Sequence, residues 1–246
     1  QAVAIGAVIA VGVLMLVMMT GLVSSLDETR ETYYERYRLA DVFAPVARAP
    51  ERVITSLSDL PGVASAEGRV TGAALVDLDG IDLPIQAKAV SLPDFGSPKL
   101  NDIYLTDGRK LDGNKPDEIL LLKGFATAHD IKPGDNLRVT MRGARRDFRV
   151  AGLAQSPEFL TTTAPGELAP DDARFAVIWM NRNTAEAAYD MEGAFNEALL
   201  SLARGASEPA VLAAVDRTLE PYGGQNAYGL EDHVSNKFVT EEINGL

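Results

Sequence analysis

The chain has no cysteine, two histidines and a single tryptophan among 246 residues. Without thiols there is no disulfide, no thiolate metal site and no cysteine nucleophile. With only His129 and His233 to draw on, the sequence argues against a multi-histidine metal centre. Positive charge is also scarce, with 23 Lys and Arg against 35 Asp and Glu and a net charge of -12. So acidic a surface excludes nucleic acid as a partner, and it disfavours docking of the domain surface on anionic lipid head groups. Catalytic signatures are missing as well. No GxxxxGK[ST] loop is present to cradle ATP phosphates, no GxSxG elbow and no HExxH zinc helix.

What is present is an apolar run. Ala2 to Val23 reads AVAIGAVIAVGVLMLVMMTGLV, without a charged side chain. As a helix it would be about 33 Å long, against a hydrocarbon core of roughly 30 Å. A soluble helix of that length normally shows water one polar face. A signal peptide would begin with basic residues and carry only about 7–15 apolar ones before a small-residue cleavage site. The run is therefore read as a membrane span over residues 1–26, with a signal peptide or a buried core helix as the alternatives. Its cytoplasmic flank is not in the sequence, so charge bias does not orient it. Gly6, Gly12 and Gly21 would admit a close neighbouring helix.

Asp27 to Tyr37 contains helix formers and neither Gly nor Pro, and it continues the span as a stalk helix over 27–40. Asp41 to Arg48 is a strand candidate, and about Pro50 to Leu60 a helix ended by Pro61-Gly62. Ala64 to Leu78 and Ile81 to Leu92 flank Asp79-Gly80, the signature of a two-residue type I′ hairpin that would set Val76 opposite Leu83. Pro93 to Asp107 looks like loop. Glu118 to Leu122 is a buried strand, Lys123 to Asp130 a short helix, and Lys132 to Asp135 a tight turn. Asn136 to Met141 and Arg146 to Leu153 are strands pairing around Arg142-Gly143. After the irregular Ser156 to Asp172 come a strand at Arg174 to Met180, a helix at Asn183 to Asp190 and a strand at Asn196 to Ala203. An amphipathic helix over Ser207 to Leu219 follows on Val211, Leu212, Val215 and Leu219, with a last short strand near Tyr228.

Two segments share an order of parts. The stretch from Val42 and the stretch from Leu199 each run strand, alanine-arginine corner, proline-led helix, Gly/Pro break and strand. As a duplication they build one split α+β layer with helices on one face, interrupted by a β-rich insert at about 94–172. Leu230 to Leu246 is helical again, with Leu230, Val234 and Phe238 at four-residue spacing. A chain that leaves the membrane on one helix and returns on another has this form.

Few residues suggest a site. Asp77, Asp79 and Asp82 gather at the hairpin tip, where solvent screening or a bridging cation would relieve their repulsion. Arg142, Arg145, Arg146 and Arg149 are the one basic cluster, either solvated or a docking patch for an acidic partner. Tyr33 and Tyr37 on the stalk, with Val234 and Phe238 on the return helix, are candidates for stalk packing. Tyr33, Tyr34 and Tyr37 also suit an interfacial aromatic belt. His129 and His233 read as structural.

This order of parts resembles the MacB-like periplasmic core domain of FtsX-type ABC transporter permeases, over essentially the whole chain. The resemblance is carried by LPGV at Leu60 to Val63, GRKL at Gly108 to Leu111, the Glu118 to Phe125 run, KPGD before Leu137, and VAGLAQSPEF at Val150 to Phe159. It implies a Porter-like subdomain over 41–93 and 173–229, a Sabre-like insert over 94–172 and a return stalk over 230–246. It also implies a non-catalytic permease subunit without cofactor, held in the bacterial inner membrane with its bulk in the periplasm. Its expected partners are a cytoplasmic ABC ATPase, a second permease subunit and a periplasmic adaptor, and three further spans are expected after Leu246. The competing reading is the ectodomain of a membrane sensor with one or two spans, and a carboxylate-based anchored enzyme is a third.

Overall fold

The computed structural model describes residues 28–81, 83–162, 171–237 and 240, together with Leu14, Met18 and Ser25. The expected span over 1–26 lies outside the described residues apart from those three. Among the described residues no helix is long and apolar enough to cross a membrane.

Residues 28–36 form the stalk helix, α1. There follow β1 (Val42–Pro50), α2 (Val53–Ser58), β2 (Val63–Arg69), β3 (Thr71–Asp77) and β4 (Ile85–Leu92). Next come β5 (Tyr104–Gly108), β6 (Glu118–Leu122), α3 (Lys123–Ala128), β7 (Asn136–Met141) and β8 (Ala144–Gln155). The chain continues through β9 (Phe175–Asn181), α4 (Arg182–Tyr189), β10 (Ala194–Leu202), α5 (Glu208–Leu219) and β11 (Tyr228–Gly229). The fold is α+β with mixed sheets.

The smaller sheet has the order β11-β1-β10-β2, all antiparallel. Its two strand–helix–strand segments, β1-α2-β2 and β10-α5-β11, interleave as in a split β-α-β layer. Val42, Ala44 and Val46 alternate with Phe43 along β1, so one face takes the helices and the other does not. On the helix side Val53 and Leu57 of α2 meet Val211, Val215 and Leu219 of α5 in one core. Proline in its first turn and Arg217 in its last suit α5 to its two ends. On the other face Phe43 and Leu199 pack with Leu39, Ala40 and Leu100.

The larger sheet runs β5-β8-β6-β9-β4-β3-β7, and β7 pairs with β8 as well. That last pairing closes six of the strands into a barrel, to which β5 is added outside β8. β6 (EILLL) is buried at every position because it lies between β8 and β9. Trp179, Phe125, Ile119 and Met141 fill the interior.

Several expectations change. Tyr104–Gly108, expected as loop, is an edge strand. The expected strand Ala64 to Leu78 is two strands, because the chain crosses at Val70 from the small sheet into the barrel. The sheets accordingly divide the chain near Val70 and Asn181, not at 93/94 and 172/173, and β3, β4 and β9 join the strands of the expected insert. At Asp79-Gly80 only Gly80 takes a positive φ, and Val76 pairs with Ile85. The hairpin is therefore two residues longer than expected. An even displacement keeps each side chain on its face. Type I′ geometry is found instead at Arg142 (φ 46°) and Gly143 (φ 79°), between the paired Met141 and Ala144. The stalk helix stops at residue 36, not 40. Leu39 N donates to Tyr34 O, Arg38 N donates to Glu35 O, and Arg38 takes φ 50°, a left-handed cap. The return segment opens with a 3-10 turn, Leu230–Asp232, before a helix at 234–237.

Candidate coupling site

β2 ends on Arg69, and directly opposite it on β10 stands Glu197. The third member comes from the barrel side. β8 is followed by Ser156, whose side chain accepts from the backbone N of Glu158 in the 3-10 turn Pro157–Phe159. That turn aims Glu158 back at β2. Arg69 donates through Nη1 and Nη2 to the two oxygens of Glu158, at 2.7 and 2.6 Å, and through Nε to Glu197 at 2.6 Å. Arg69, Glu158 and Glu197 are only 6%, 2% and 6% exposed. A bidentate fork of this kind is among the stronger contacts a carboxylate makes.

Three more groups complete the cluster. Asn101 Nδ2 donates to Glu158 at 2.7 Å, while its Oδ1 accepts from Ala40 N, just past the stalk helix, at 2.7 Å. Lys88 Nζ on β4 stands 3.9 Å from Glu158 and 3.9 Å from Glu197, above the Phe159 ring. His233, at the start of the return segment, stacks within 4.6 Å of Phe43 and faces the cluster. Burial alone would raise the Glu158 pKa, but the Arg69 guanidinium, with help from Lys88, holds it down at about 2. Arg69 is pushed further up by the two carboxylates against the effect of burial. His233 is pushed down, chiefly by burial.

Around this cluster the loop at 98–102 is clasped to the stalk. Arg38 Nε donates to Lys99 O at 2.8 Å, and its Nη2 reaches Pro98 O and the Asp102 carboxylate, each at 2.9 Å. Asn101 N and Asp102 N donate to Arg38 O and Tyr37 O. The two leads also touch each other. Tyr34 OH donates to Asn236 Oδ1 at 3.2 Å, and Arg30 Nη1 to Thr240 Oγ1 at 3.1 Å. Stepping four residues up one helix meets four residues down the other, so the helices run antiparallel.

The residues singled out from sequence are distributed differently. Tyr33 and Tyr37 meet edge to face at 4.8 Å, and Tyr37 turns to Tyr104 of β5 at 6.2 Å. The stripe that meets the return helix is one residue over, on Arg30 and Tyr34. Burial raises the Tyr33 pKa to about 12. Val234 is 62% exposed, and Phe238 lies outside the described residues. The four arginines do not converge. Arg142 is tied to Tyr189 O at 2.6 Å, and Arg145 lies 3.2 Å from the Asp77 carboxylate. Arg146 shares a strand face with Phe148, while Arg145 and Arg149 point to the opposite one. Of the acidic hairpin tip, Asp77 is the carboxylate paired with Arg145, and Asp82 lies outside the described residues. Among the described residues no group of three or more His, Asp or Glu side chains is placed to hold a metal. His129 caps α3, stacks on Phe125 and hydrogen-bonds Ala173 O.

Sequence reasoning missed Arg69, Glu158, Glu197 and Asn101. The available signal was Glu197, a charge inside the apolar strand AFNEALLSL. Both carboxylate oxygens of Glu158 accept hydrogen bonds, from Arg69 and Asn101. What it joins is mechanical: two sheets and two helical leads.

The profile of the MacB-like periplasmic core domain family matches residues 4–218. The extracellular domain of the noncanonic ABC-type transporter YknZ from Gram-positive bacteria is similar at 12% identity and TM-score 0.48, over 78% of this chain and 98% of that one. The periplasmic region of MacB from Actinobacillus actinomycetemcomitans is similar at 8% identity and TM-score 0.47, over 87% of this chain and 96% of that one. Among curated proteins none matches this sequence.

Proposed function

The chain belongs to the MacB-like periplasmic core domain family, and on that footing we propose that it is the periplasmic domain and first span of a bacterial ABC transporter permease. In this reading it sits in the inner membrane as one of two permease subunits. A cytoplasmic ABC ATPase does the chemistry, and a periplasmic adaptor receives the motion. The chain itself is a non-catalytic transmitter. The small sheet, about 42–69 and 194–229, is the Porter-like part, and the barrel between is the Sabre-like part.

The observation that carries the reading is the antiparallel contact of the stalk and return helices through Tyr34–Asn236 and Arg30–Thr240. Both leads descend from the domain side by side, so a shift of one relative to the other acts on the domain's base as a couple. Clamping the leads together should then uncouple ATP hydrolysis from work outside the membrane.

The test uses the absence of native cysteine in this sequence. In the complete transporter, Tyr34→Cys and Asn236→Cys are joined by a short bis-maleimide linker with a reducible centre. ATP-coupled activity should fall on linking and return on reduction. A linked transporter that couples ATP to its work as before would refute the proposal.

A further inference from the structure

Four charges meet at the seam between the small sheet and the barrel, and they divide evenly between the two. Arg69 and Glu197 face each other on β2 and β10 of the small sheet. Lys88 and Glu158 belong to the barrel side, on β4 and the turn that follows β8. Each unit thus brings one cation and one anion. In the observed arrangement the guanidinium sets Nη1 and Nη2 on Glu158 across the seam and Nε on its own Glu197, whose Oε2 also lies 2.6 Å from Nη2. The Lys88 ammonium waits 3.9 Å from each carboxylate, beyond hydrogen-bond reach.

A buried ion that loses its only partner is strongly unfavourable, and that ordinarily makes a buried ion pair resist separation. Here separation strands nothing. If the barrel draws back from the small sheet, Arg69 keeps Glu197 and Glu158 falls to Lys88. We infer that the seam is a partner-exchange latch, with a closed state in which Glu158 is held by Arg69 and an open state in which each unit is neutral by itself. Asn101 ties the latch to the stalk, since it holds Glu158 with one end and Ala40 N with the other. A displacement at the top of α1 is therefore felt at the oxygen that Arg69 must keep. The latch is a property of this fold, and only its link to ATP-driven motion rests on the transporter reading.

Hydrogen exchange on the full-length transporter tests it. Thr71 N donates to Asn196 Oδ1 across the seam, and beside it, at the point where the chain crosses, Val70 N donates to Ser91 Oγ and Ser91 N to Val70 O. Their exchange reports opening, whereas the amides of Ile119 to Leu122 in the barrel report unfolding. Glu158→Gln removes the buried bidentate bond of the closed state and only the part-exposed Lys88 partner of the open one, so the closed state loses more and the seam amides should exchange about tenfold faster with the barrel amides unchanged. Glu197→Gln acts the other way. It removes carboxylate repulsion in the closed state and deprives Arg69 of its partner in the open one, so seam exchange should slow.

If both variants accelerate the seam, if neither changes it, or if the barrel amides accelerate equally, the latch is refuted and the cluster is ordinary packing. Should Glu158→Gln fail to fold, the sign for Glu197→Gln decides: slowing supports exchange, acceleration overturns it. None of these readings involves transport, so the latch and the transporter reading fail separately.

Discussion

Replacing Arg69 by methionine removes the seam's central cation while keeping an unbranched apolar stem. Three charge-assisted hydrogen bonds of 2.6 to 2.7 Å vanish, and two carboxylates with 2% and 6% exposure are left facing one another. Only Lys88, at 3.9 Å from each, remains to offset them. Stripping one partner from a buried ion pair costs about 3–5 kcal/mol. For a chain of this size each kcal/mol lowers Tm by about 2–4 °C, so the melting point should drop by about 6–20 °C. The sole tryptophan, Trp179, lies in the barrel core and gives a fluorescence signal for that unit, with far-ultraviolet circular dichroism following the whole chain. The triple variant Arg69→Met, Glu158→Leu, Glu197→Leu is the counterpart. Replacing a buried ionic triad by apolar side chains is often neutral or stabilising by about 1–4 kcal/mol, so the triple variant should melt near or above the native protein. A single variant that melts within about 2 °C of native, or a triple variant as unstable as the single, would refute this account of the seam.

Acid should loosen the domain in two stages. His233 has a lowered pKa when folded, so the unfolded chain binds its proton more readily and stability falls as pH drops below about 6.5. Glu158, held at about 2 against 4.5 when free, contributes stability that is present above pH 4.5 and lost as pH falls toward 2. Urea titrations across pH, with His233→Asn expected to remove the upper stage, check both; a flat profile between about pH 7 and about pH 5 would count against the first. Gly72→Ala should destabilise by about 1–3 kcal/mol, because the new Cβ falls within the Tyr189 ring, whose hydroxyl is bonded to Ala73 O. Adding Tyr189→Leu should recover most of that loss in a double-mutant cycle, and additive losses would show the two positions to be uncoupled.

Local rules were legible where one element decides its own shape. Glu118 to Leu122 could be read as a buried strand from its unbroken apolar run, and α5 from the spacing of Val211, Val215 and Leu219. Pairing across Arg142-Gly143 was legible from the glycine. Non-local facts were not. Nothing local marks Val70 as the point where a strand leaves one sheet for another, because Ala64 to Leu78 alternates without a breaker at that position. The short edge strand Tyr104–Gly108 pairs only with β8, and its sequence follows a proline-rich loop. The stalk stripe was misplaced by one residue because Tyr33 and Tyr37 found Tyr104, a partner some seventy residues away, while Tyr34 met the return helix. Arg69, Glu158 and Glu197 acquire meaning only together, and they come from three distant parts of the chain.

The pairing of β7 with both β3 and β8 makes a hoop of six strands with no seam to peel. Bending such a hoop stretches hydrogen bonds all around its girth at once, where an open sheet would simply twist. A push delivered at its foot therefore reaches its rim with little lost to flexing. Between it and the small sheet the chain crosses at Val70 and again between Tyr189 and Ala194, so a small rotation about those crossings becomes a long sweep at the far end.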